Sequence, residues 1–177
     1  MNNSRANFWA SLMTITYVLI GIISISLTVQ NWGESLPLIA FYFLVLVNTH
    51  LSVSFFLSII PHHGGLQKLI NAALLLVYLG LAFSLDKPLS FTLIATLMFT
   101  LATIKYILLI DEGRLRRLLS KKILAETLGI LACVLTIFGI LIGYSVLATS
   151  VWVLLFLVAN VYLLSIKPLY KIERDAD

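Results

Sequence analysis

The chain has 177 residues, 60% of them hydrophobic and 11% charged, with a mean hydropathy of +1.04. A soluble domain carries roughly a quarter charged residues, so there is too little charge here to solvate a globular surface. The net charge of +4 falls between long apolar runs, not on the soluble basic face that a nucleic-acid binder needs, and a single cysteine, Cys133, excludes an internal disulfide framework or a multi-cysteine metal site.

A membrane-spanning helix needs about 20 mainly apolar residues. Six segments qualify: Trp9–Val29, Leu36–Ile60, Leu66–Leu85, Leu89–Ile110, Ile123–Tyr144 and Val146–Ile166. They are continuously apolar, which argues against the alternating strands of a barrel. The expected fold is an all-α integral membrane protein, one six-span domain over residues 1–177. The first span is long enough to cross and lacks a following small-x-small cleavage site, so it reads as a retained helix and not a removable signal.

The second span carries Asn48 and His50. An ionisable residue inside a span is costly and marks a candidate functional site, and histidine titrates nearest physiological pH. Two readings stay open for His50: a proton-responsive group, or a neutral ring hydrogen-bonded to a neighbouring helix. His62 and His63 follow in the turn Pro61–Gly65, about 18 Å from His50 along a helix. With no carboxylate or cysteine close in sequence they read as a solvated loop, and neither metal nor cofactor is expected.

Lys105 lies near the end of the fourth span. It either snorkels to the interface or pairs with Glu126 at the start of the fifth; Glu126 has a local alternative in Lys122, one helical turn away. Between these spans Arg114, Arg116, Arg117, Lys121 and Lys122 alternate with leucines. Such a segment suits a short interfacial helix against anionic headgroups, at about 1 kcal/mol per basic residue. Its role in setting topology also accounts for it. The sixth span contributes Asn160 and Tyr162.

Basic residues near span ends orient the chain. Arg5, Lys68, Lys105, Arg114, Arg116, Arg117, Lys121, Lys122, Lys167, Lys171 and Arg174 fall on one side, and Lys87 alone on the other. Both termini are therefore expected in the cytoplasm, the membrane being a bacterial inner membrane.

Gly21, Gly80 and Gly139 recur at equal intervals of 59 in the odd spans. Ser24, Ser84 and Gly143 lie three or four residues further on, so each odd helix presents a small patch suited to close helix packing. The even spans align through Leu38-Ile39-Ala40 and Leu93-Ile94-Ala95, setting Asn48 opposite Thr103 and Asn160, and His50 opposite Lys105 and Tyr162. The expected architecture is three consecutive parallel hairpin repeats, over about 9–60, 66–110 and 123–166.

Ile20-Gly21-Ile22…Pro37, Leu79-Gly80-Leu81…Pro88 and Phe138-Gly139-Ile140, with the basic end Ile107–Arg117, resemble the HdeD-type acid-resistance membrane proteins. The resemblance is one of hydrophobic pattern over nearly the whole chain; the even spans lack glycine and the third turn lacks proline. It implies a role in tolerance of acid or envelope stress, with no catalytic residues to carry over.

No Gly-x-Ser-x-Gly elbow, phosphate-binding glycine loop or His-Glu-x-x-His is present, and a non-enzymatic protein is expected. The competing readings are a small channel or carrier with Asn48, His50, Lys105 and Asn160 along its path, and an assembly factor whose basic loop recruits a membrane complex. The expected partners are the bilayer and its anionic inner headgroups, with a second copy or a membrane subunit as further candidates. Polar groups cluster in the inner half of the spans, which weighs against an open pore.

Overall fold

The computed structural model describes residues 3–59, 64–110 and 115–163. Six helices follow one another: α1 (Asn3–Thr28), α2 (Trp32–Ile59), α3 (Gly65–Ala82), α4 (Pro88–Leu109), α5 (Arg116–Leu141) and α6 (Ser145–Val161), with no strand among the described residues. Helices α1 to α5 are long and apolar enough to cross a membrane. Helix α6 is apolar but has 17 residues, about 26 Å of rise, and helical geometry continues to residue 163.

Backbone polar groups in lipid must be satisfied within the chain, which favours uninterrupted helices. Side-chain hydroxyls follow the same logic. In α4, Thr92, Thr96 and Thr100 each donate to the carbonyl four residues back at 2.8 Å, and Thr103 does so at 2.9 Å. This threonine stripe is absorbed by its own helix and leaves little to line a water path.

The turns are short and locally specified. Asn31 Oδ1 accepts the Gly33 N–H at 3.1 Å ahead of α2, and Pro88 opens α4 at a position where a missing N–H costs nothing. The α5–α6 turn is a Schellman motif: Tyr144 N–H bonds Gly139 C=O at 2.9 Å and Gly143 N–H bonds Ile140 C=O at 3.1 Å, with Gly143 at φ +94°.

Each helix packs on its sequence neighbour in the pairs α1–α2, α3–α4 and α5–α6. Contacts between the pairs are unequal: α4 lies most extensively on α5, α2 lies on α6, and α1 touches α3. Helices α2, α4 and α6 converge on an aromatic cluster. Phe41 stacks on Trp152 with ring centroids 4.0 Å apart, lies 4.6 Å from Phe156 and meets Phe91 edge-on at 5.8 Å. Phe41, Phe91 and Trp152 are all buried. A smaller core of Phe56, Tyr106, Leu109, Leu115 and Leu119 closes the opposite end, where α2 and α4 finish and α3 and α5 begin; this is called the basic end below.

The outside is what a bilayer requires. Leucines and isoleucines such as Leu19, Ile22, Leu76, Leu128 and Leu135 are exposed along the spans. Exposed Trp9 and Tyr162 lie toward the basic end, and Trp32 and Tyr144 toward the other. Aromatic rings at both ends are the usual anchors at headgroup level.

The basic segment differs from the separate interfacial helix expected of it. Residues 116–122 form the first two turns of α5. Leu115 and Leu119 bury against Phe56, Tyr106 and Leu109, and this contact extends the helix beyond its apolar run while turning Arg116, Arg117 and Lys121 outward. Lys122 is the exception among the expected headgroup ligands, because it lies on the inward face and is buried. Arg114 and the pair His62 and His63 lie outside the described residues.

Candidate functional site

Toward the basic end, the helices enclose a chamber of about 260 Å³. Helix α2 supplies Asn48, Thr49 and Ser52 to its wall, α3 supplies Asn71 and Tyr78, α4 supplies Lys105 and Tyr106, and α5 supplies Lys122 and Glu126. The spacings explain the convergence. Asn48 and Ser52, and Lys122 and Glu126, are one turn apart on their helices, and Asn71 and Tyr78 are two turns apart, so each set shares a face. Val45, Met98, Phe99 and Phe156 line the apolar part, next to the Phe41–Trp152 stack.

Hydrogen bonds tie the polar wall together. Thr49 and Tyr78 share a hydroxyl–hydroxyl bond of 2.6 Å, and Ser52 and Tyr106 one of 3.1 Å. Lys122 Nζ lies 3.9 Å from Glu126 Oε1 and 5.5 Å from the centre of the Tyr106 ring. Lys105 is half-buried, and its ammonium feels the like charge of Lys122. Of the two pairings open to Glu126, the local one with Lys122 forms; Lys105 makes no ion pair among the described residues. The one-turn geometry needs no reach between helices, which is why it prevails. Among the described residues, the chamber wall carries two lysines and one carboxylate in largely apolar surroundings.

Beside the chamber a larger cleft of about 650 Å³ lies between α5 and α6. It shares Asn48, Phe99, Lys122, Glu126 and Phe156 with the chamber, so the two spaces adjoin along one wall. Asn160 and Tyr162 line the cleft, and Asn160 Nδ2 donates to Phe156 C=O at 2.8 Å. Asn48 and Asn160 therefore both line this cleft.

His50 does not join them. Two residues along a helix turn the side chain by about 200°, and His50 Nδ1 faces Thr14 Oγ1 of α1 at 3.3 Å, away from the chamber that Asn48 lines. The expected grouping of His50 with Asn48 and Asn160 is corrected on this geometry.

The small residues of the odd helices also divide. A Cβ on Gly21 would lie 2.5 Å from the Tyr42 ring, and one on Gly139 would lie 2.6 Å from Ala148 Cβ, so both are close-packing sites. Ser24 is buried and donates its hydroxyl to Ala82 C=O across to α3. Ser84 is buried in the α3–α4 turn, where its carbonyl accepts Lys87 N–H at 3.0 Å. Gly80 is no tight contact, since a Cβ there would meet Ile94 at an ordinary 3.5 Å. Gly143 has nothing near it and serves the turn, not a helix face.

Sequence reasoning passed over Asn71, Tyr78, Tyr106 and Gly129. The two-turn spacing of Asn71 and Tyr78 in an apolar span was a usable signal. Gly129 falls outside the 59-residue series, yet a Cβ there would lie 2.8 Å from the Phe99 ring.

Among the described residues no group of three or more His, Cys, Asp or Glu side chains could hold a metal. Comparison with known protein families, with curated proteins and with solved structures finds no match to this chain.

Proposed function

We propose that the chain is a non-enzymatic, multi-pass protein of the bacterial inner membrane that binds a small ligand bearing an acidic group in the chamber at its basic end. The observation that carries this reading is the wall itself: Lys105 and Lys122 outnumber Glu126, with amide and phenol donors around them. An anionic group between these lysines would gain charge-assisted hydrogen bonds from them and from the neighbouring amide and phenol groups. The aromatic cluster beyond the chamber favours a one-ended binding site or carrier over an open channel. The eleven-to-one distribution of basic residues supports a cytoplasmic basic end. Three parallel hairpins with six full spans remain the architecture proposed, supported by the glycine spacing. Tolerance of acid or envelope stress is the physiological setting proposed, supported by the resemblance to HdeD-type proteins.

The test is ligand-dependent thermal stabilisation of the purified full-length protein across small carboxylates and phosphates. Stabilisation by at least one acidic compound, lost in Lys105→Gln, is expected. A panel in which no compound distinguishes Lys105→Gln from the parent would refute the binding site.

A further inference from the structure

The chamber changes character along its length. On α4, Lys105, Ala102 and Met98 share one face and line the chamber in turn, over about 10 Å of helix. On α2, Ser52, Asn48 and Val45 follow one another in the same way. Both helices end at the basic end, so both carry the wall from polar groups there to apolar side chains deeper in the bundle. Phe99 and Phe156, whose rings meet edge-on at 6.0 Å, complete the apolar part.

The charges at the polar end are not equivalent. Lys122 is engaged by Glu126 on its own helix and lies over the Tyr106 ring. Lys105 makes no ion pair and no hydrogen bond among the described residues, and the side-chain amides of Asn48 and Asn71 make no hydrogen bond there either. One ammonium and two amides are left to donate into the space. Size limits what they can receive. An apolar cavity of about 150 Å³ takes benzene, so in proportion a chamber of about 260 Å³ takes about ten non-hydrogen atoms.

Resting on the acidic-ligand site proposed above, we propose that the ligand is a monocarboxylic acid with an apolar body of about seven carbons, held entirely within the chamber. Its carboxylate accepts from the Lys105 ammonium and from the Asn48 and Asn71 amides; bonds to a charged acceptor are stronger than neutral ones. Its apolar body lies against Ala102, Met98, Val45 and Phe156. A second negative charge would lie near Glu126, whose own lysine is already engaged, which sets a monoacid above a diacid or a phosphate. An acid without the apolar body leaves the deeper part of the chamber unfilled.

The experiment follows thermal unfolding of the full chain in mild detergent with acetate, hexanoate, octanoate, dodecanoate, succinate, inorganic phosphate or 1-octanol. Stabilisation is expected to pass through a maximum at octanoate, with acetate and dodecanoate weaker and succinate, phosphate and octanol without effect. Lys105→Gln should weaken octanoate binding about tenfold, the loss of one charge-assisted contact. Ala102→Leu takes up space between Lys105 and Met98 and should move the maximum to hexanoate. Stabilisation that rises steadily to dodecanoate, or that octanol matches, is partition into the micelle and overturns the assignment. A maximum left at octanoate in Ala102→Leu overturns it as well. Lys105-dependent stabilisation by acetate, succinate or phosphate with no gain from chain length overturns the monoacid while leaving the chamber as a site for acidic ligands. No response to any acid removes both.

Discussion

Gly129 has no Cβ, and the Phe99 ring occupies the space one would fill. That contact seats α5 on α4 beside the chamber. Adding a methyl group to such a site costs about 1–3 kcal/mol, so Gly129→Ala and Gly21→Ala are each expected to lower the unfolding temperature in detergent. Gly80→Ala, meeting Ile94 at contact distance, is expected to unfold like the parent, and followed by tryptophan emission the three variants should separate cleanly. Equal spacing in the sequence located Gly21, Gly80 and Gly139 but could not say which of them a neighbour presses, because that depends on which side chain of the next helix faces each one. Gly129, off the series, was invisible for the same reason. A second expectation concerns Lys122 and Glu126. Removing one member of a buried ion pair is worse than removing both, by up to about 3–5 kcal/mol for the single change. Glu126→Gln should therefore destabilise the protein more than Glu126→Gln combined with Lys122→Met, and a double-mutant cycle that is additive would show that the pair is not coupled. His50→Gln, on the Thr14 side of α2, should leave ligand stabilisation at the chamber unchanged; a loss would place His50 within the site after all.

At the scale of elements the sequence was legible wherever lipid alone dictates structure. Continuous apolar runs in a bilayer have only helix open to them, and the segments expected from Trp9–Val29 to Val146–Ile166 correspond to the helices α1 to α6 with ends displaced by a few residues, α1 to α5 being long and apolar enough to cross a membrane. The largest departure is the start of α5, seven residues earlier than expected from Ile123. It arises from a tertiary contact, the burial of Leu115 and Leu119, that no periodicity in a mixed Leu–Arg segment announces. Pairing between the hairpins was similarly hidden, since the contact of α2 with α6 follows the Phe41–Trp152 stack and that of α4 with α5 includes the fit of Phe99 over Gly129. The turn between α5 and α6 yields a sharp expectation. At φ +94°, Gly143 occupies a region where a Cβ costs roughly 1–2 kcal/mol. Gly143→Ala should destabilise the fold by about that amount although nothing touches the residue, whereas Ser145→Ala beside it should be nearly silent.

For the whole molecule, the decisive asymmetry is a polar chamber near one end and an aromatic cluster beyond it. With Cys133 replaced by alanine, a cysteine at Asn71 on the chamber wall should react with a membrane-impermeant maleimide added on the basic side and stay unlabelled from the other. Labelling from the far side would mean that the cluster does not seal the bundle. The same cluster gives the protein an optical property of its own. Trp9 and Trp32 are more than half exposed toward opposite ends of the bundle, while Trp152 is almost wholly buried against Phe41. Bromine atoms carried on lipid chains quench indole fluorescence by contact, so the emission divides into two components open to the bilayer and one shielded from it. The shielded component reports on the centre of the bundle alone. Any event that pulls α6 from α2 would appear as Trp152 becoming quenchable, and the three indoles would then distinguish an opening of the interior from a change in how the protein sits in its membrane.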